Sequence, residues 1–422
     1  MRCSRLVRFS ILSCIASFVL SGCSGGRFAT GSSTGTSSPP STAAHVYVTS
    51  QPSSGSPYEI VAYTANANGQ LTPVSGSPFN QNVYSLGASG GYLVAAAATE
   101  PEINSYTIGS NGALTMATQF NYQQQTGYVS NIDTVCGDLG GFVFDRSGQS
   151  LYAAVANIDC SNNNAVASFS FDSSNGSLSY LGNTNIGYEA SPAISLLGNN
   201  DFAYSAFNDQ CMYGGIMSFG RGANGLLSEM PYTITPANGP AAPPGSTSSG
   251  VKQPSYAAGL TAADSSNHVA MAEFPCYAQG GVAATQVQLA TYTSDANGNL
   301  TTADTYATMP ATAVNPLDLK MSPSGTLLAV GGVGGLQVFH FNGASSITSF
   351  TSVLTTDNIS QMFWDNSNHL YAITLSVGSL AVNPGKLHVF TITDTAATEA
   401  PGSPYTIAAP ASLAVQSVAS AS

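Results

Sequence analysis

HVYVTS (45–50), EIVAYTAN (59–66) and NGQLTPVSGSPF (68–79) make one phrase, and its recurrence decides the fold. An apolar run opens it, a loop leads to a second apolar run, and an Asn-Gly turn then runs into Leu-Thr. The phrase returns as YLVAAA (92–97), EINSYTIG (102–109) and NGALTMATQF (111–120), and as LYAAVA, AVASFSFD and NGSLSYLG between 151 and 182. Further copies open at Phe202, His268, Leu327 and Leu370, seven in all. Asn-Gly between alternating apolar runs marks a hairpin, because both residues tolerate the positive φ of the tight turn. It stands at Asn68-Gly69, Asn111-Gly112, Asn175-Gly176, Asn224-Gly225 and Asn297-Gly298, with Asn342-Gly343 less regular.

One more short apolar run and a turn precede the opening strand, as in GFVFDRSGQSLYAAV (141–155), PLDLKMSPSGTLLAV (316–330) and QMFWDNSNHLYAIT (361–374). Each unit therefore has four antiparallel strands, a to d. Seven units of about 45 to 70 residues predict an all-β, seven-bladed propeller, with strand a lining the central channel and strand d outermost. The chain joins the fold at a strand b (His45) and leaves it through ASLAVQS (411–417), a strand a with no b after it. The C-terminal strand is expected to complete the first blade, which closes the ring and removes an open edge. A pair of β-sandwiches is the alternative architecture.

Composition agrees with such a core and narrows the partners. Only 7% of the 422 residues are charged, against about 25% in an average soluble domain, while 43% are hydrophobic and 39 are Tyr, Phe or Trp. Neither a charged disordered polymer nor a Glu- and Lys-rich helical bundle fits. Net charge is −12, and of the nine Lys and Arg three (Arg2, Arg5, Arg8) fall in the N-terminal segment, leaving six against 21 Asp and Glu. Nucleic acid is excluded as a partner, because counterion release needs clustered cations.

Residues 1–22 read as a lipoprotein signal peptide: a positive n-region, a short apolar stretch from Phe9 to Leu20, and Leu20-Ser21-Gly22-Cys23, which resembles the bacterial lipobox. Cys23 is the expected lipidation site, with acyl chains contributing roughly 0.8 kcal/mol per buried methylene. Residues 23–44 then form the lipidated Cys and a Ser/Thr/Gly/Pro tether, expected to be flexible and to reach roughly 25 Å. The propeller occupies 45–418 and a tail 419–422. The membrane is a partner only through that lipid. The expected location is the bacterial cell envelope, on the outer membrane because Ser24 rather than Asp follows the Cys, and the expected state is a monomer.

HVYVTS, the strand ending AYT, and GQLTPVSGSPF are similar to the YVTN-type repeats of the seven-bladed lactonase-like propellers, the family of bacterial 6-phosphogluconolactonase. The resemblance runs over about 45–417 and rests on blade-building residues. It implies an Arg-His pair beside an inner strand with acidic and further Arg residues at the channel mouth, and this sequence lacks that equipment. His45, His268 and His369 open b strands, and His340 and His388 sit inside c strands, where partly exposed blade residues are expected. Arg146 lies in an a-to-b turn and Arg221 in a c-to-d turn, so neither replaces the pair. Gly87-Ala88-Ser89-Gly90-Gly91 matches a nucleophile elbow in letters alone, since it joins two strands. No P-loop, H-E-x-x-H or C-x-x-C occurs, so no cofactor and no metal are expected.

Beyond Cys3, Cys14 and Cys23 remain Cys136, Cys160, Cys211 and Cys276, an even number in an oxidising compartment. The last three follow b strands and Cys136 precedes a strand a, so all four fall on the face of the d-to-a and b-to-c loops. Cys136–Cys160 and Cys211–Cys276 are the expected pairs, with Cys160–Cys211 the rival. The same face carries the long insertions 121–139, 208–214, 232–254 and 275–285. Long loops on one face of a ring are where propellers bind. Candidate ligand-binding residues there are Asp133, Asp138, Asp159, Asp209, Lys252 and Glu273, with Asp318 and Lys320 on an inner strand, and solvated loop charge is the plain alternative. Tyr122, Tyr128, Tyr213 and Tyr277 are candidates for stacking on sugar rings. The reading is an envelope lipoprotein that binds a glycan, small molecule or protein through the loop-rich face over blades 3 to 5. The alternative is a carbohydrate-lactone hydrolase acting outside the cytoplasm. A phosphorylated lactone would need cations at the mouth that are scarce here.

Overall fold

Strands b are buried on both faces between neighbouring blades, which is why they read as unbroken apolar runs: every residue of His369–Thr374 (HLYAIT) is buried. Strands d are outermost and read as mixed runs, as in Leu114–Asn121, where four residues are exposed. These differences along one repeat are the local origin of a radial fold. The computed structural model describes residues 41–418, apart from 123, 126–137, 157–163, 188–193, 207–210, 212–214, 231–237, 249–254, 280–281 and 284–285.

Seven four-stranded antiparallel sheets form the blades of a propeller. Blade 1 orders Pro410–Ser417, Thr42–Ser50, Glu59–Asn66 and Leu71–Pro73 from inside outward, so the last strand of the chain supplies its strand a. Val46 pairs with Val415 and Tyr47 with Ala414, which joins the two ends of the fold by a full ladder. The inner strands of blades 2 to 7 are Val83–Ser89, Asp138–Phe144, Ile194–Leu196, Tyr256–Ala263, Asn315–Met321 and Ile359–Trp364. Beside blade 5 stands a small extra sheet, Thr247–Ser248, Tyr277–Gln279 and Val282–Ala283, built from the insertions.

The Asn-Gly turns do more than reverse the chain. The residue opening strand b of one blade lies under the turn glycine of the next: His45 under Gly112, Tyr92 under Gly176, Ser150 under Gly225, Phe202 under Gly298 and His369 under Gly69. A Cβ on Gly112 would stand 2.8 Å from His45 Nδ1, so the position needs glycine for space as well as for its φ of +82°. The hydroxyls of Tyr47, Tyr152 and Tyr204 donate to the carbonyls of Gly112, Gly225 and Gly298 in the same places. Three of the five histidines differ here from the sequence expectation, while His268 and His340 are half-buried as expected. His45, His369 and His388 are 3%, 1% and 3% exposed, because they are packed at blade interfaces and not at a rim.

The a-to-b turns of blades 3, 5 and 7 are closed by Asp145, Asp264 and Asp365, and that of blade 6 by Ser322. Asp365 Oδ1 accepts from the backbone N–H of Ser367 and His369, while Oδ2 meets His369 Nδ1 at 2.7 Å and accepts from Tyr371 at 2.9 Å. Asp264 repeats this with Ser266 and His268. A short acceptor side chain that captures its own turn is the reason Asp-x-x-x-His recurs at these corners.

Candidate functional site

The channel wall is shaped by β-bulges. Inner strands slip register between Val83 and Leu86, Gly140 and Phe142, Ala258 and Leu260, Pro316 and Asp318, and Ile359 and Gln361, and Ala411 is passed over opposite Thr49 and Ser50. A bulge bends its strand and re-aims the side chain that follows. In three successive blades that side chain reaches across to the next inner strand. Asp318 Oδ2 accepts from Met362 N at 2.7 Å, Gln361 Oε1 from Leu413 N at 2.8 Å, and Ser412 Oγ from Leu86 N at 3.0 Å. These latches tie blades 6, 7, 1 and 2 in series.

Within the ring of inner strands lies a cavity of about 600 Å³, reaching from Leu317, Ser360 and Ala411 near the loop-rich end to Arg146 and Met321 at the opposite end. Its walls are largely apolar, including Phe144, Leu317, Leu319 and Phe363, with Ser195, Thr261 and Gln361 as neutral polar groups. Its charged groups among the described residues are Arg146, Asp318 and Lys320. Arg146 Nη2 donates to the carbonyls of Leu196, Ala263 and Asp264, tying blade 3 to blades 4 and 5. Burial lowers the Arg146 pKa, opposed by Asp264, yet a guanidinium stays charged. Lys320 Nζ lies 3.3 Å from Asp318 Oδ1 and 5.2 Å from the centre of the Phe363 ring, a cation over an aromatic face.

On the loop-rich face, Cys211 and Cys276 form a disulfide joining blades 4 and 5, as the sequence predicted. Cys276 is buried, and beside it the Tyr256 and Tyr277 rings meet edge to face at 5.3 Å. Glu273, expected among loop charges, instead lies inside strand His268–Pro275 and is 1% exposed. Tyr292 donates to its Oε1 at 2.8 Å. Burial pushes the Glu273 carboxyl up to about 7, the Tyr292 bond pulls the other way, and Asp304 adds to the rise. Strand alternation puts position 273 on the blade 4 side of its strand, where no solvent reaches.

Asp318 and Lys320 are the two predicted site residues that the structure places together on the channel. Tyr122 and Tyr277 are 5% and 7% exposed and belong to core clusters, so neither presents a face to a sugar. Cys23, Asp133, Cys136, Asp159, Cys160, Asp209, Lys252, Tyr128 and Tyr213 lie outside the described residues, as does the side chain of Asp138. Gln361, Ser412 and the Arg146 contact with blades 4 and 5 were missed from sequence. The signal for the latches was present as a polar residue two or three positions into a short inner strand, but a bulge is needed to aim it.

No protein-family profile matches this sequence, and no curated protein matches it. Solved structures do resemble it. A protein from Bacteroides uniformis, provisionally named a 6-phosphogluconolactonase, superposes with a TM-score of 0.57 at 11% identity, over 90% of this chain and 100% of its own. A Lactobacillus plantarum protein gives 0.58 at 12% over 89% and 100%, and a functionally unknown protein from Desulfotomaculum acetoxidans gives 0.56 at 12% over 89% and 99%. At these identities the likeness is one of fold, the lactonase-like propeller.

Proposed function

We propose that the protein is a lipid-anchored envelope propeller that binds a small organic ligand in its central channel, reached from the loop-rich face, without turning it over. The observation that carries this reading is the state of the channel's polar groups. Asp318 spends its two carboxylate oxygens on the backbone N–H of Leu319 and Met362, and Arg146 Nη2 is spent on three carbonyls. A general base must reach the proton it takes, and these contacts pin the Asp318 carboxylate against the backbone of its own and the next inner strand. What the described wall offers is recognition: apolar surface, neutral donors and acceptors, the Lys320 ammonium and the Arg146 guanidinium. The disulfide on the loop-rich face is consistent with export, because such bonds persist in oxidising compartments.

The test is the full-length protein in detergent against a panel of neutral glycans and free and phosphorylated sugar lactones, read by melting shift and by turnover. The expected result is a saturable upward shift without turnover. Lactone hydrolysis that disappears in Lys320→Met would replace this reading with the lactone hydrolase. The anchor is tested apart from the channel: Cys23→Ala should release the protein from membranes, and retention would remove the lipoprotein claim.

A further inference from the structure

The geometry points to an organic monocarboxylate with an apolar body as the ligand class of the channel, with Lys320 Nζ as the group that receives its carboxylate. This rests on the channel being a binding site, and deepens that reading.

Beyond residue 23 the chain has six Lys and Arg against 21 Asp and Glu, so each cation has abundant carboxylates to choose from. Of the four that are described, Arg221 lies 2.8 Å from Asp145 and Lys386 lies 2.6 Å from Asp357. Arg146 is held by backbone carbonyls. Lys320 is left with the longest ion pair, 3.3 Å, to a carboxylate that already accepts two backbone N–H groups. Those two bonds draw on the charge of Asp318 and hold its carboxylate in place, with the ammonium 3.3 Å away. An ammonium carries three donors. Asp318 faces it as an ion pair and the Phe363 ring takes part of its charge, which leaves Lys320 able to donate to a ligand oxygen in the cavity it lines.

The surroundings select the rest of the ligand. A charge-assisted bond in a largely apolar cavity is stronger than the same bond in water, and an unpaired anion would not enter at all. Arg146, the other described cation of the cavity, has its Nη2 turned to the carbonyls of blades 4 and 5, and the Lys320 ammonium beside one fixed carboxylate suits a single negative charge. A dianion would meet Asp318 with its second charge. Phe144, Leu317 and Phe363 offer flat or branched apolar contact, so the body attached to the carboxylate is hydrocarbon or aromatic and not a polyol.

The molecule contains its own reporter. Trp364 is the single tryptophan, and its Nε1–H donates to the Lys320 carbonyl at 3.1 Å. Phenylacetate titrated into the full-length protein in detergent should change Trp364 emission saturably. Phenylacetamide, of the same shape without the charge, should bind at least tenfold more weakly, and phenyl phosphate should also bind more weakly than phenylacetate. Lys320→Met, which keeps the stem on Phe363, should abolish the preference for acid over amide. Lys320→Arg should retain it and serve as the folding control. Equal affinity for acid and amide would overturn the inference while leaving a binding channel in place. So would an acid preference that survives in Lys320→Met. No saturable response to any of the three probes would overturn it too, and the melting shifts with neutral glycans and lactones would then judge the binding reading separately.

Discussion

The ring is fastened in two different ways on its two sides. Through blades 6, 7, 1 and 2 the inner strands are latched by Asp318, Gln361 and Ser412, each capturing a backbone N–H of the next blade. Through blades 3, 4 and 5 the residues after the bulges are Phe142 and Leu260, which have no acceptor to offer, and blade 4 has an inner strand of only three residues. There Ser195 Oγ of blade 4 donates to the Thr261 carbonyl of blade 5 at 2.8 Å, and the closure is reinforced by groups added to the repeat: the Cys211–Cys276 disulfide on one face and Arg146 across the other. A repeat that carries its own fastening can stay short. Where the backbone N–H latch is missing, a cross-link adds to the Ser195–Thr261 pair, and the long connections that carry it supply loops around the channel.

This contrast can be broken first at the disulfide. Cys276→Ser opens a crosslink spanning 65 residues of sequence and should cost about 4 kcal/mol by loop-closure entropy. Chemical unfolding of the variant beside the oxidised wild type should show this loss, and a difference under 1 kcal/mol would mean that Arg146, the Ser195–Thr261 pair and the core suffice for blades 4 and 5.

Glu273 sharpens the comparison next, since it sits unneutralised in the interface that the disulfide closes. Its folded pKa of about 7 lies above the ordinary 4.5, so the folded state binds more protons than the unfolded one between those values. Stability must then fall as pH rises from about 4.5 to 7, by about 3 kcal/mol in all, and stay low above that. Glu273→Gln should flatten this slope in melting curves taken across that window. A slope unchanged in the variant would assign the pH dependence elsewhere.

The smallest effect belongs to the latched side. Ser412→Ala leaves the Leu86 N–H without its acceptor at a buried position and should cost about 1 kcal/mol. Hydrogen exchange should show the Leu86 amide opening faster, with no comparable change at blades 4 and 5. A global loss as large as that of Cys276→Ser would mean that the two sides are not fastened independently.

Much of the blade pattern could be read before any coordinates, because it is local. Asn111-Gly112 announces a tight turn whatever lies nearby, and HLYAIT announces a strand covered on both sides. The Cys211–Cys276 pair was also readable, since strand order alone puts both residues on one face of adjacent blades. Glu273 was misread because the end of strand b and the start of its loop differ by two or three residues, and that interval separates a solvated charge from a buried one. The histidines at 45 and 369 were misread for a related reason: burial at a strand end is decided by the glycine turn of the neighbouring blade, which is distant in sequence.

By itself the sequence determined the repeat, the count of blades, the closure by ASLAVQS and the poverty of cations, all of which follow from period, turn chemistry and composition. Only the tertiary structure decided what the channel is made of. A bulge adds one residue to one strand and turns the side chain that follows, so Asp318, Gln361 and Ser412 become latches, and Lys320 stands on the channel 3.3 Å from Asp318. Those outcomes depend on register between strands of different blades. Register is fixed by packing around the whole ring, and no single stretch of the chain encodes it.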